Sequence, residues 1–345
     1  MQLPVIPKDV DVRIPPDGEH ISNPRELYVE VTNRCNSLCE TCPLTFDPQE
    51  AAHYLTFDEF TALVDQFPDL ERAVLHGIGE PLLNKDLGPM IRHLKRRDVR
   101  VVFNSNAVLL NTSRQTELIE SGLDEIRVSC DGSTPETYEK MRGIDKFPLI
   151  LRNVEALLKR RREMKAQTPR VSLWMTGVKD NIHELPGLIK IAGRIGADEV
   201  YLTRMVFFGT GLAVEDQSIY RDFREEVVSI VDSSAKLAER LGVEFKGAGA
   251  ISPMERFADE VPDRPWSGCR RPWRLGYVTA NGNALPCCIA PFTGADYESM
   301  KLGNVIEEGS FNAVWNGDKY REFRRRFLSD NPPDACRRCG LDWSL

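Results

Sequence analysis

The sequence predicts an α/β protein, a parallel sheet that is open or curled into a barrel, with a smaller unit at its C-terminal end. Three observations carry this. Strand-like and helix-like runs alternate six times between residue 25 and about residue 241, and repeated right-handed β–α units build a parallel sheet. A stretch rich in Gly and Pro, residues 243–268, then breaks the alternation and marks a domain boundary. Beyond it stand a hairpin signal and one helix, a different pattern.

Residues 1–24 carry Pro4, Pro7, Pro15, Pro16 and Pro24 and read as an extended lead-in, because proline fixes φ and removes a donor. The first strand is the apolar run 27–31. A helix follows over 57–67, with Thr56 as N-cap and Glu59 at the capping-box position. Residues 72–76 form a strand and 86–97 a helix, with Pro89 in its first turn. Strands at 100–103 and 125–129 flank a helix at 113–121. The helix over 147–161 sets Leu149, Ile150, Val154, Leu157 and Leu158 on one stripe. Strands at 170–175 and 199–203 flank a helix at 182–195, closed by Gly196. The long helix over 218–241 turns Ile219, Phe223, Val227, Ile230 and Ala238 inward. Residues 274–279 and 283–286 flank Ala280-Asn281-Gly282 as a hairpin, and 311–327 is a helix. No other repeat and no low-complexity tract is present.

A net charge of −7 on 345 residues makes a nucleic-acid partner unexpected, since the phosphate backbone attracts basic surfaces. The basic runs at 159–162 and 324–326 read as solvated helix faces. The start, Met1-Gln2-Leu3-Pro4-Val5, lacks the regions of a signal peptide. No apolar run approaches a membrane span. A cytoplasmic protein without a membrane partner is expected. Nine cysteines in such a chain point to metal or redox chemistry rather than disulfides. Three lie at 35–42, five at 269–339, and only Cys130 stands alone, which suggests two metal sites.

Cys35, Cys39 and Cys42 follow the first strand, so they fall on the rim where α/β sheets gather their chemistry. Three thiolates on one loop can hold three irons of a cubane cluster and leave the fourth iron open. Open positions on metals are where catalysis happens. The competing reading is a partial zinc site, with His53 as an outside ligand. Strand two runs into His76-Gly77-Ile78-Gly79-Glu80-Pro81, where glycines let a ligand approach the backbone. Strand three ends in Asn104-Ser105-Asn106 and strand four in Ser129-Cys130-Asp131-Gly132. Cys130 reads as a small buried hydrophobe, with a thiol hydrogen donor as the alternative.

The Cys35/Cys39/Cys42 spacing, CxxxCxxC, resembles the signature of the radical SAM superfamily. The resemblance implies a partial (β/α)6 TIM-like barrel at 25–240. It implies a [4Fe–4S] cluster on the three cysteines, with S-adenosylmethionine chelating the open iron, and a 5′-deoxyadenosyl radical that abstracts hydrogen from substrate. Thr41 stands where many members have an aromatic residue. Gly77, Gly79 and Glu80 match the element that contacts the methionine amino group, although Ile78 alters its spacing. Ser105 and Asn106 fall in the Thr-Asn-Gly-type turn. Ser129 and Asp131 match the Ser-x-Asp-Gly turn, and their oxygens can meet ribose or substrate hydroxyls. Arg142-Gly143 matches a recurrent Arg-Gly. Arg142 would pair with a carboxylate of S-adenosylmethionine or substrate, or else in a surface ion pair.

The second cysteine group resembles the SPASM/Twitch extension of these enzymes, including the Gly282-x4-Cys287 element. It implies a C-terminal iron–sulfur domain at 241–345, a β-hairpin plus helix, with one auxiliary [4Fe–4S] cluster on Cys269, Cys287, Cys336 and Cys339. Cys288 is the spare and could exchange with Cys287. A zinc-ribbon-like site of four cysteines is the alternative. The expected reaction is hydrogen abstraction from a small metabolite with oxidation through the auxiliary cluster, since the short lead-in leaves no room for a leader-peptide recognition domain. A flavodoxin- or ferredoxin-like donor would supply electrons. Peptide modification, redox-neutral epimerisation or decarboxylation, and a non-catalytic iron–sulfur or zinc scaffold are the alternatives.

Overall fold

The computed structural model describes residues 19–219, 224–248, 264–293, 296–337 and 339. Its core is one sheet of nine strands in the order β7-β6-β5-β4-β3-β2-β1-β8-β9. The strands are β1 (Glu26–Val29), β2 (Arg72–Val74), β3 (Arg100–Ser105), β4 (Glu125–Ser129), β5 (Arg170–Gly177), β6 (Glu199–Arg204), β7 (Glu244–Gly247), β8 (Leu275–Val278) and β9 (Ala284–Leu285). All pairings are parallel except that of β8 with β9. The sheet curls into a partial barrel.

All six predicted strands form, and the helices between them run antiparallel to the sheet as expected. They are α1 (Pro43–Phe46), α2 (Phe57–Val64), α3 (Leu87–Lys95), α4 (Thr112–Glu120), α5 (Pro135–Arg142), α6 (Phe147–Glu163), α7 (Leu185–Ile195) and α8 (Arg224–Leu241). The capping box at α2 is formed: Thr56 Oγ1 accepts from the Glu59 amide at 3.2 Å and Glu59 Oε2 accepts from the Thr56 amide at 2.8 Å. Gly196 ends α7 with φ +77°, a conformation that suits glycine.

Strand alternation divides the sheet into two faces. Leu27, Val29, Leu75, Val101, Phe103, Ile126, Val128, Leu173, Met175 and Leu202 pack outward into the apolar core shared with the helices. The inner face is polar. An ion-pair belt crosses it near the starts of β1 to β7: Glu26 with Arg72 at 3.5 Å, Arg100 with Glu125 at 3.0 Å, Arg170 with Glu199 at 2.9 Å, and Lys246 of β7 with Glu199 at 3.2 Å. Buried charges persist where they are paired, so the N-terminal end of the barrel is an ion-paired floor. Above it, Trp174 and Tyr201 stack at 4.0 Å with Arg127 over the Trp174 ring at 4.6 Å. The open chemistry is left to the opposite rim.

Several elements depart from the sequence reading. The stretch read as a boundary contains β7, which extends the sheet beside β6. The hairpin strand β8 pairs in parallel with β1, so the C-terminal residues join the same sheet. Helix α5 follows the β4 turn and went unread. Helix α8 begins at Arg224, while Glu215–Gln217 is a short 3-10 turn, and Phe223 lies outside the described residues. The helix expected over 311–327 is two, Phe311–Trp315 and Asp318–Phe327, parted at Gly317. The first of these packs on the segment that follows α2, with the Phe67 and Phe311 rings 4.6 Å apart.

Candidate metal centres

Cys35, Cys39 and Cys42 lie on the loop that leaves β1. The loop is fixed from below. Thr32 Oγ1 donates to the His53 carbonyl at 2.7 Å, and Asn33 donates to the Ala51 carbonyl at 2.8 Å. Asn106, at the end of β3, donates to Asn36 Oδ1 at 2.7 Å and to Ser37 Oγ at 3.0 Å. The Glu80 amide donates to the Arg34 carbonyl at 2.7 Å. Gly79 makes that approach possible, because a Cβ there would stand 2.1 Å from the Thr32 carbonyl oxygen. The Glu80 carboxylate is buried and accepts from Ser105 Oγ at 2.8 Å, the Asn106 amide at 2.7 Å and the Leu82 amide at 3.1 Å. Burial pushes its pKa up in spite of these donors.

From the other side α5 buttresses the same loop. The Glu40 amide donates to the Met141 carbonyl at 3.1 Å. Gly143 closes α5 at φ +65°, and a Cβ on it would sit 2.2 Å from the Leu38 carbonyl oxygen. Arg142 is a buried ion pair with Asp131 at 3.0 Å rather than a surface one. Asp131 also accepts from the Thr176 amide at 2.7 Å. Burial opposes the Arg142 charge, but the Cys39 thiol and then Asp131 hold the guanidinium well above its usual value. Its Nε and the Tyr138 hydroxyl are buried without a partner among the described residues. Cys130 is fully buried and donates to the Gly132 carbonyl at 3.4 Å. Burial and the neighbouring Asp131 push this thiol up to about 12.

The three loop thiols are close enough to disfavour each other's ionisation. Burial, then Cys39 and more weakly Cys35, push Cys42 up to about 12; burial leads the rise at Cys35 and Cys39 as well. Bound iron takes the place of those protons, and the unpartnered Arg142 Nε and Tyr138 hydroxyl are donors that cluster sulfur would satisfy. The residues fit a cluster. His53 does not join them: its Nε2 faces Glu59 at 3.4 Å. Among the described residues no three His, Cys, Asp or Glu side chains form a group that would hold a single metal ion.

The second centre is a hollow whose wall includes Cys269, Cys287, Cys336, Cys339 and Arg271, with Trp266, Phe323 and Phe327 supplying apolar cover. Cys288 is not on that wall. Burial, then Cys288, raise the Cys287 thiol, and burial leads the rise at Cys336. Burial works against the Arg271 charge, yet Cys288, Cys269, Cys287 and Cys339 together hold it above its usual value. Burial and then Cys288 also raise Tyr28, on the inner face of β1. Four convergent thiols in an apolar wall fit a fully liganded cubane.

Two features escaped the sequence reading. Glu30, at the inner end of β1, is buried and accepts from the Tyr277 hydroxyl, the Ile78 amide at 3.2 Å and the Ala280 amide at 3.3 Å. Burial pushes its pKa up to about 7. Arg271 had one available signal, its position two residues after Cys269.

Residues 29–192 match the model of the radical SAM superfamily, and residues 269–340 match that of SPASM, an iron–sulfur cluster-binding domain. The chain belongs to the radical SAM superfamily and carries a C-terminal SPASM domain. It is a radical SAM enzyme, using a [4Fe–4S] cluster with S-adenosylmethionine and auxiliary iron–sulfur binding in the SPASM part. Among curated proteins it is 26% identical over 330 residues to the PqqA peptide cyclase of Granulibacter bethesdensis, spanning 94% of this chain and 82% of that protein. It is 25% identical to a tungsten-containing aldehyde ferredoxin oxidoreductase cofactor-modifying protein of Pyrococcus furiosus, over 91% of this chain and 87% of that one. Streptococcus suis SuiB, solved bound to S-adenosylmethionine, shares the fold at a TM-score of 0.70 and 16% identity, over 92% of this chain and 72% of that chain. No helix among the described residues is long and apolar enough to cross a membrane.

Proposed function

We propose that this chain is a cytoplasmic peptide-modifying radical SAM enzyme that oxidises its substrate by way of the auxiliary cluster. The observation that carries the peptide reading is the match along 94% of the chain to a protein named for a peptide substrate. This displaces the small metabolite expected from the short lead-in. A flavodoxin- or ferredoxin-like protein remains the expected electron donor.

Cys35, Cys39 and Cys42 hold the cluster that binds S-adenosylmethionine, and Cys269, Cys287, Cys336 and Cys339 hold the auxiliary one. The bound cofactors supply reductive carbon–sulfur cleavage and a hydrogen-abstracting radical. The chain's own residues orient and enclose. Glu80, Ser105 and Asn106 lock the ends of β2 and β3 to the cysteine loop, and Gly77 and Gly79 let the turn after β2 lie directly against Glu30 and the Thr32 carbonyl, where the methionine end would be bound. Asp131 holds Arg142 against Cys39, and Ser129 faces the inner side of the sheet where hydroxyls of ribose or substrate would lie. The ion-pair belt closes the floor against water.

Anaerobically reconstituted protein, given S-adenosylmethionine and a reductant, should release 5′-deoxyadenosine. Deuterium from a labelled peptide library should appear in that product. Label arriving only from small polyols would overturn the peptide reading. Cys42→Ala should abolish cleavage, whereas Cys336→Ala should retain some cleavage without substrate turnover. Equal and complete loss of cleavage in both, when folded and loaded with their remaining cluster, would refute this division of roles.

A further inference from the structure

The second hollow contains a charge that the four-cysteine pattern does not require. Arg271 stands on its wall with Cys269, Cys287, Cys336 and Cys339. Its surroundings differ from those of five other arginines of the barrel. Arg72, Arg100, Arg127, Arg142 and Arg170 each pair with a carboxylate. Among the described residues no carboxylate forms an ion pair with Arg271, and the thiols that share its wall are Cys269, Cys287, Cys336 and Cys339. A guanidinium lodged partly buried in an apolar hollow without a counter-ion is unfavourable unless an anion occupies the space beside it.

The ligated cluster is such an anion. Four thiolates outweigh the positive charge of a cubane core, and reduction adds one more negative charge. A fixed cation on the wall stabilises the reduced form more than the oxidised form, and net charge and hydrogen bonds to sulfur are among the terms that set cluster potentials. We propose that Arg271 is the counter-charge of the auxiliary cluster and raises its reduction potential, making it a better acceptor for an electron leaving the substrate. Arg271 acts through the cluster and is a positioning residue. The inference rests on the four-cysteine reading above and deepens it.

The test is a redox titration of the loaded protein, followed by electron paramagnetic resonance, on the wild type, Arg271→Gln and Arg271→Lys. A charge a few ångströms away in a partly screened site supports about a tenfold change in the reduced-to-oxidised ratio at a fixed potential, which is about 59 mV for one electron. Arg271→Gln should shift the auxiliary signal to lower potential by that amount, and Arg271→Lys should stay within about twofold of wild type. The signal of the three-cysteine cluster should not move in either variant.

Coincident titrations of wild type and Arg271→Gln would overturn the proposal. An equal shift in both variants would overturn it too, because shape rather than charge would then be responsible. Loss of the auxiliary cluster from Arg271→Gln would make the residue a structural wall and would also overturn it. Failure of the four-cysteine reading looks different: wild-type protein would then bind about four irons instead of about eight, with no second signal to titrate.

Discussion

Gly143→Ala separates two effects that usually travel together. Any non-glycine residue held at φ +65° meets a backbone penalty of about 1–2 kcal/mol. At this position there is a second effect. The new Cβ would stand 2.2 Å from the Leu38 carbonyl oxygen, where ordinary contact begins at 3.4 Å. Leu38 lies between Cys35 and Cys39, so the cysteine loop must retreat by about 1 Å, beyond the roughly 0.5 Å a catalytic constellation tolerates. Gly196→Ala is the matched control. Gly196 has φ +77° at the end of α7, but a Cβ there meets only Arg162 Nη1, at 3.8 Å.

Both variants should lose about 1–2 kcal/mol of stability in denaturant unfolding. Only Gly143→Ala should lose cleavage of S-adenosylmethionine, by about 100-fold, with reduced iron in the three-cysteine cluster. Gly196→Ala should cleave within about twofold of wild type. If Gly143→Ala cleaves normally, or Gly196→Ala is damaged as severely, the contact between α5 and the cysteine loop does not position the site.

Other perturbations follow from the same geometry. Cys288→Ala should keep the auxiliary cluster and Cys287→Ala should lose it, because only Cys287 is on the hollow's wall; iron and acid-labile sulfide assays decide, and loss from Cys288→Ala would exchange the two assignments. Glu30 has its folded pKa raised to about 7 from 4.5, so the stability its protonated form supplies is complete below pH 4.5 and is lost as pH rises through 7. That loss is at most about 3 kcal/mol; Glu30→Gln should escape it and exceed wild type in urea midpoint at pH 8 but not at pH 4.5, and parallel pH profiles for the two proteins would refute the account.

The six leading strands were legible because one face of each must pack against helices, which leaves an apolar residue at every second position. Leu27, Val29, Ile126, Val128, Leu173 and Met175 all obey this and are fully buried. The α2 start was legible because its capping box is local chemistry. Helix α5 was not: only Tyr138 and Met141 of its eight residues are buried, too few to set a period, although Thr134 and Pro135 are ordinary start signals. Strand β7 was hidden by its own polarity, since Lys246 serves the ion-pair belt rather than the core. The cysteine positions were readable as spacing. Their surroundings were not. Asn106 reaches Asn36 across 70 residues of chain, and the Arg142–Asp131 pair arrives from elements farther along still. No local pattern encodes such pairings.

The pairing of β8 with β1 has the largest consequence of the features the sequence hid. Read locally, the hairpin is a self-contained unit that begins an independent domain. In the sheet it is the next strand after β1, and its turn is pinned to the loop that carries the first three cysteines. Glu30 accepts from Tyr277 and Ala280; Glu50 accepts from Asn281 at 2.9 Å, Asn283 at 2.8 Å and Tyr297 at 2.8 Å; and Asn281 donates to the Ala51 carbonyl at 2.8 Å. Cys42 and Cys269 are far apart in sequence, yet both candidate metal centres flank one pair of hydrogen-bonded strands, β1 and β8. In the proposed reaction an electron passes from the barrel interior to the second hollow, and its transfer would depend on a fixed separation. Two domains joined by a linker would leave that separation to chance, whereas a shared sheet with a buried carboxylate at the seam holds it constant.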